Sequence, residues 1–209
     1  MKKLILASTS FRRQELLKWT GLVFEIIAPN FEEAQLSRSS FPSTATFVEA
    51  LSFGKAFSVV DHFPDAVIIS GDTLVDCDGE AIGKPKDLDD ARNILRKLSD
   101  RTHLIFSGVT VTDSSSGKTL TQSIESAVTF KKLSEVQIEK YIQTGESLGK
   151  AGAYGLQSGA RPFLDHLEGS WTNVIGFPLV KVVEMLSEFE IQVPVNIHAV
   201  IEKYLGVKE

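Results

Sequence analysis

Three short stretches of this 209-residue chain combine residue types that handle phosphate and hard cations. Ser8-Thr9-Ser10-Phe11-Arg12-Arg13 follows the apolar run Leu4-Ile5-Leu6-Ala7 and opens a helical stretch that continues to about Trp19 and stops at Gly21. A helix amino terminus offers unpaired N–H groups and a positive dipole end. Hydroxyls and tandem guanidinium groups there would complete an oxyanion cradle without glycine. The same residues also read as an ordinary serine cap followed by solvated arginines. Walker and Rossmann glycine signatures are absent. In Ile68-Ile69-Ser70-Gly71-Asp72-Thr73 a carboxylate follows a buried apolar run, so Asp72 can hold a cation or take a proton from water with little positional freedom. The plainer reading is a turn aspartate next to glycine. Lys84, in Gly83-Lys84-Pro85-Lys86, is either a cation fixed by the restricted backbone before Pro85 or a solvated loop lysine.

A fourth stretch is a decoy. Asp76-Cys77-Asp78-Gly79-Glu80 has the outline of the aspartate-nucleophile loop of haloacid-dehalogenase-type phosphatases, which would make Asp76 the nucleophile. Glu80 stands where that motif wants threonine, and Asp78-Gly79 between strand-like flanks is a hairpin turn signal. No Ser or Cys has a neighbouring His that suggests a triad.

The elements that must position these groups alternate between strand and helix. Leu4–Ala7 and Val23–Ala28 read as strands around the first helix, and Pro29–Pro42 reads as a long polar loop holding Glu32 and Glu33. The spacing of Phe47, Ala50, Leu51 and Phe57 predicts an amphipathic helix from Thr44 to about Val60 that carries Lys55. Ala66–Ile69 reads as a buried strand, interrupted by Ser70–Thr73 and resumed at Leu74-Val75. A helix is predicted over Asp87–Leu98, a hairpin over His103–Thr112 and Leu120–Lys131, and a capped helix from Ser134 with Gln137 to near Gly145. Gly149–Gly159 is too rich in glycine for regular structure. Beyond Gly169–Gly176 and Pro178 lie two apolar helical stretches. This order fits an α/β or α+β sheet fold.

Composition bounds the rest. With 43% hydrophobic and 23% charged residues the chain is globular, of a size for one large domain or two small lobes sharing a core. A net charge of −5 gives no overall attraction for polyanions, which argues against a nucleic-acid polymer as partner. The single Cys77 and four scattered histidines offer neither an internal disulfide nor zinc-type spacing. No signal-type apolar segment or membrane span is visible, so a reducing, cytoplasmic setting is expected.

Taken in order, Leu6-Ala7-Ser8-Thr9-Ser10-Phe11-Arg12-Arg13, Ser70-Gly71-Asp72-Thr73, Gly83-Lys84-Pro85-Lys86-Asp87, Lys150-Ala151-Gly152-Ala153-Tyr154-Gly155-Leu156-Gln157 and Gly169-Ser170-Trp171-Thr172-Asn173 together resemble the Maf family over nearly the whole chain. The resemblance implies a single domain over residues 1–209 with an α/β fold like that of the inosine-triphosphatase group: a mixed twisted sheet flanked by helices, in two lobes around a central cleft, often dimeric. It implies a nucleoside triphosphate pyrophosphatase with Mg²⁺ or Mn²⁺ as cofactor, held by Asp72 and Glu33. By the same resemblance Asp72 is the base or metal-linked carboxylate and Glu33 a further acidic site residue. Ser8, Arg13, Lys55 and Lys84 handle phosphate. Arg12, Thr73 and Gln157 match the branch acting on dTTP and UTP, with modified pyrimidine nucleotides as further substrates. A Gln157 amide can both donate and accept, as the edge of uracil or thymine requires. Phe11 and Ser158 depart from the Pro and Gly usual at those places. The expected reaction is attack of water on the α-phosphorus, releasing pyrophosphate. The competing expectation is a non-catalytic nucleotide-binding regulatory module.

Overall fold

The computed structural model describes residues 2–209 and consists of one mixed sheet with helices packed on both of its faces. Strand β1 (Lys3–Ala7) pairs in parallel with β2 (Glu25–Ile27) on one side and with β3 (Ala66–Cys77) on the other. Beyond β3 the sheet turns antiparallel through β5 (Thr102–Asp113), β6 (Thr119–Phe130) and β7 (Leu164–Glu168). A short β4 (Glu80–Ile82) folds back on the end of β3 through the Asp78-Gly79 turn, both residues of which have positive φ, as that two-residue hairpin requires.

Strands β3, β5 and β6 are each 12 residues long and feed two large cores, while Ala66 and Ile68 of β3 join Ile5, Ala7, Ala56 and Val59 in a third, smaller cluster. Val67, Ile69, Val109 and Val111 pack with α1 (Phe11–Lys18) and the carboxy-terminal helices α6 (Leu179–Ser187) and α7 (Ile197–Leu205). Further along the same strands, Val75, Ile105, Val128 and Phe130 pack with α3 (Leu88–Leu98) and α4 (Glu135–Ile142). Residues 70–74 of β3 lie where one core gives way to the other. The polar run Ser70–Thr73 was expected to interrupt the strand, but β3 is continuous. Every residue from Ser70 to Thr73 is in register with β5, Asp72 facing Gly108, and that ladder outweighs weak local strand propensity.

Helix α2 (Thr44–Val60) crosses this junction, its start fixed by the Ser43–Thr46 capping box. Its buried face is Val48, Leu51, Ser52, Lys55, Ala56 and Val59. The aromatic spacing predicted a face containing Phe57, but Phe57 is 42% exposed and stacks on Phe53 at the surface. The helix is rotated so that a lysine, not a phenylalanine, points inward. Close approach is possible because β5 carries glycine where the helix passes: a Cβ at Gly108 would stand 2.1 Å from the Val48 carbonyl oxygen. Strand β7 carries no strand signal in the sequence; it is short, polar and at the sheet edge, and its pairing with β6 is irregular at Thr129/Phe130. No helix among the described residues is long and apolar enough to cross a membrane.

Gly108→Ala is expected to force α2 off the sheet and lower unfolding free energy by about 1–3 kcal/mol or more. Chemical denaturation checks this. An alanine variant as stable as the parent would show that the approach of α2 to β5 is not tight.

Candidate active site

At the junction of the two cores a cleft of about 440 Å³ opens, and most of the residues singled out in the sequence meet there. Its floor is a buried ion pair. Lys55 and Asp72 are 7% and 8% exposed, and the Lys55 ammonium donates to Asp72 Oδ1 while also pairing with Glu33 Oε1 at 2.8 Å. One cation thus gathers two carboxylates from distant segments: β3, and the 3₁₀ turn Glu33–Gln35 within the polar loop. That loop is seated by Phe31, whose ring covers Gly54 of α2 so closely that a Cβ there would lie 2.3 Å from it. Partial burial pushes the Glu33 carboxyl up, but its hydrogen bond to Lys55 and the charges of Lys55, Lys84 and Arg13 outweigh this and hold it below its ordinary value.

The wall above the floor is the turn from β1 into α1. Ser8 is buried and its Oγ accepts from the Ser10 N–H at 3.1 Å. Ser10 makes no side-chain capping bond, and the first α1 N–H to reach a helical carbonyl is that of Gln14. The ordinary serine cap is therefore absent, and the uncapped N–H groups of this helix end lie where Ser8, Thr9 and Ser10 line the cleft. Arg13 is held in place: its Nε donates to the Gly176 carbonyl at 3.0 Å and a terminal nitrogen to Thr73 Oγ1 at 3.2 Å. Burial lowers its pKa, an effect that the charges of Asp72 and Glu33 oppose.

The Gly169–Asn173 motif supports that clamp. It forms α5 (Trp171–Ile175), and the buried Asn173 amide donates to the carbonyls of Ile105 and Ile124 on β5 and β6, which docks α5 and delivers Gly176 to Arg13. Thr73 lines the cleft, but its hydroxyl is engaged by Ser107, Gly176 and Arg13, so it fixes the guanidinium. Lys84 is exposed at the rim, on a loop tied down where the Gly152 N–H donates to the Gly83 carbonyl.

Two residues fall elsewhere. Gln157 is exposed and does not line the cleft, so the structure does not bring its amide to the other predicted groups. Asp76 also lies outside the cleft lining; it is buried, accepting from the Gly79 N–H at 2.8 Å and from the Thr44 hydroxyl, which makes it a turn residue with no room for a nucleophile's role. Conversely, Lys150 and Tyr154 line the cleft, although no local pattern in the sequence marks either of them for a role. The signal for the lysine is spread along the chain: three of the four Gly-Lys dipeptides, at Lys55, Lys84 and Lys150, put their lysine in this cleft. Behind Tyr154 lies the buried His103, whose Nε2 is 2.7 Å from the tyrosine hydroxyl.

Fold and site together define a two-lobed α/β protein whose cleft gathers cations around a pair of carboxylates, a design suited to a polyphosphate. The described residues contain no cluster of three or more His, Cys, Asp or Glu side chains that could hold a metal ion unaided. Residues 3–189 match the family model for the Maf-like protein. The chain is 41% identical over 188 residues to the dTTP/UTP pyrophosphatase of Dictyoglomus turgidum, covering 90% of this chain and 96% of that protein. It is 43% identical over 192 residues to the protein of the same name from Clostridium botulinum, covering 90% and 97%. The chain belongs to the Maf family.

Two outcomes test the electrostatics. Lys55→Met strands Asp72 without its cation and is expected to cost about 3 kcal/mol of stability, of which Asp72→Asn in the same chain restores the larger part. Additive losses in denaturant unfolding would refute the pairing. Burial pushes His103 down from 6.5 to about 4. Between those values the unfolded chain binds a proton that the folded chain refuses, so stability falls as pH drops from about 6.5 to about 4, by on the order of 3 kcal/mol. His103→Gln should flatten that slope, and an unchanged slope would show that His103 is not its source.

Proposed function

We propose that this chain is a nucleoside triphosphate pyrophosphatase acting on dTTP and UTP, releasing the monophosphate and pyrophosphate. The observation that carries the reading is the Lys55–Asp72–Glu33 cluster on the floor of a cleft whose wall is an uncapped helix end with Arg13. The names of the relatives supply the substrate class.

A divalent cation fits the carboxylates. Lys55 occupies one oxygen of each, while among the described residues Asp72 Oδ2 and Glu33 Oε2 have no protein partner. Two carboxylates supplemented by phosphate oxygens and water are how Mg²⁺ is usually held in phosphate-processing sites. Asp72 and Glu33 would hold the ion, which supplies charge neutralisation on phosphate and a lowered pKa for water. Manganese suits the same oxygen donors.

The chain's own groups do the remainder. Asp72, fixed by Lys55 and by its place inside a paired strand, accepts the proton of the water that attacks the α-phosphorus. Arg13 and the N–H groups of the α1 terminus bind phosphate oxygens, and Lys84 at the rim offsets the charge that develops as pyrophosphate departs. Lys55 keeps the two carboxylates together when both are ionised. Because Arg13 is preset by Gly176 and Thr73, little of its freedom is lost on binding, and that favours the transition state.

Asp72→Asn is expected to reduce turnover of UTP by about 10²–10⁴-fold while the protein stays folded, as loss of an oriented general base does. Phosphate product analysis with Mg²⁺ checks both parts. Orthophosphate as the first product, nucleotide binding without turnover, or a fully active Asp72→Asn protein would overturn the proposal.

A further inference from the structure

The cations of the cleft fall into two groups, and only one of them is paired directly with carboxylates among the described residues. Arg13, Lys55 and Lys84 surround Asp72 and Glu33. Arg12 and Lys150 form the second group. The Arg12 guanidinium makes no ion pair or hydrogen bond among the described residues, and the Lys150 ammonium donates to the backbone carbonyl of Glu146, the stem of the lysine lying against Gly155. The Glu146 carboxylate is itself turned away, taken up by the Ser158 hydroxyl at 2.6 Å and the Gly159 N–H at 3.0 Å. Burial and then the neighbouring Arg13 lower the pKa of Arg12; burial and then Arg12 lower that of Lys150. The two cations are thus set against each other; the Glu146 charge opposes the shift at Lys150, but among the described residues neither cation forms an ion pair with a carboxylate.

The surface beside this second group differs from the floor at Asp72. Val75, Ile105, Ala151, Tyr154 and Val174 line it, all of them members of, or packed against, the second core. An apolar wall suits a flat heterocycle and offers nothing to a phosphate. Tyr154 is fixed as part of that wall by His103 and by edge contact with Phe130. Arg and Lys side chains are donors only. A ring that meets them with carbonyl oxygens is satisfied, whereas one that meets them with an exocyclic amino group places donor against donor.

We infer that Lys150 is a specificity-determining residue whose ammonium donates to the C4 carbonyl of a uracil or thymine ring seated on this apolar wall, with Arg12 as the companion donor. The inference rests on the proposed pyrophosphatase reading and deepens it. Cytosine differs from uracil in carrying an amino group at C4, so the contact predicts preference for UTP over CTP. A lysine that instead gripped the triphosphate would serve both nucleotides alike.

The test is kcat/KM for UTP and for CTP, by pyrophosphate release, with the parent protein, Lys150→Met, Lys150→Gln and Lys150→Arg, each checked for folding by thermal unfolding. Lys150→Met should lower kcat/KM for UTP by about tenfold to a hundredfold, the usual effect of removing one charged hydrogen bond, with at most a small change for CTP. Lys150→Gln, whose amide also accepts, should narrow the UTP/CTP ratio in the same direction, and Lys150→Arg should keep the preference. Parallel loss for both nucleotides in the folded Met and Gln variants, or an unchanged ratio, overturns the inference while leaving the pyrophosphatase reading intact. A parent protein that releases pyrophosphate from neither nucleotide overturns both.

Discussion

A lysine ammonium can lie buried at the base of a cleft only if carboxylates meet it, and in this protein that requirement organises the site. Lys55 comes from a helix, Asp72 from the middle of a strand and Glu33 from a loop. Each arrives through a glycine or through strand pairing that allows no slack. Gly108 lets α2 descend onto β5, Gly54 receives Phe31 and so seats the Glu33 loop, and the β3–β5 ladder holds Asp72 opposite Gly108. A strand register shifted by one residue would turn Asp72 to the other face of the sheet and leave Lys55 without its partner. The electrostatic cluster and the backbone geometry are therefore one constraint.

That constraint sits where the strands pass from one core to the other. The long strands behave as beams between two lobes, with the polar residues of β3 at the crossing and apolar packing on either side. The same arrangement divides the cleft by chemistry. Charges that compensate one another lie at the Asp72 end, and donors without carboxylate partners lie beside an apolar wall at the Lys150 end. A nucleotide has the matching polarity, with a charged tail joined to a flat heterocycle.

Much of this was legible in the sequence because the signals were local. The Ser134–Gln137 capping box placed the start of α4, residue spacing placed α2, Asp78-Gly79 gave the β3–β4 turn, and the hydroxyl-rich turn before Arg12 and Arg13 pointed to an anion-binding helix end. What escaped depended on partners distant in sequence. The continuity of β3 through Ser70–Thr73 is imposed by β5. The rotation of α2 that buries Lys55 instead of Phe57 is imposed by Gly108 and Asp72, and no helical periodicity within the segment announces it. Gln157 failed to join the cleft for a similar reason. The Gly155–Gly159 turn is pinned by Glu146, and that contact sets which residue of the tract faces inward.

The central claim is chemical: Asp72 faces the water that attacks the phosphorus nearest the nucleoside, so that the bond between the α-phosphorus and its bridging oxygen to the β-phosphate breaks. Hydrolysis of UTP in water enriched in oxygen-18, followed by mass spectrometry of both products, tests it directly. The account predicts one labelled oxygen in UMP and none in pyrophosphate. Label in pyrophosphate with unlabelled UMP would mean attack at the β-phosphorus and would contradict the placement of Asp72 as the base.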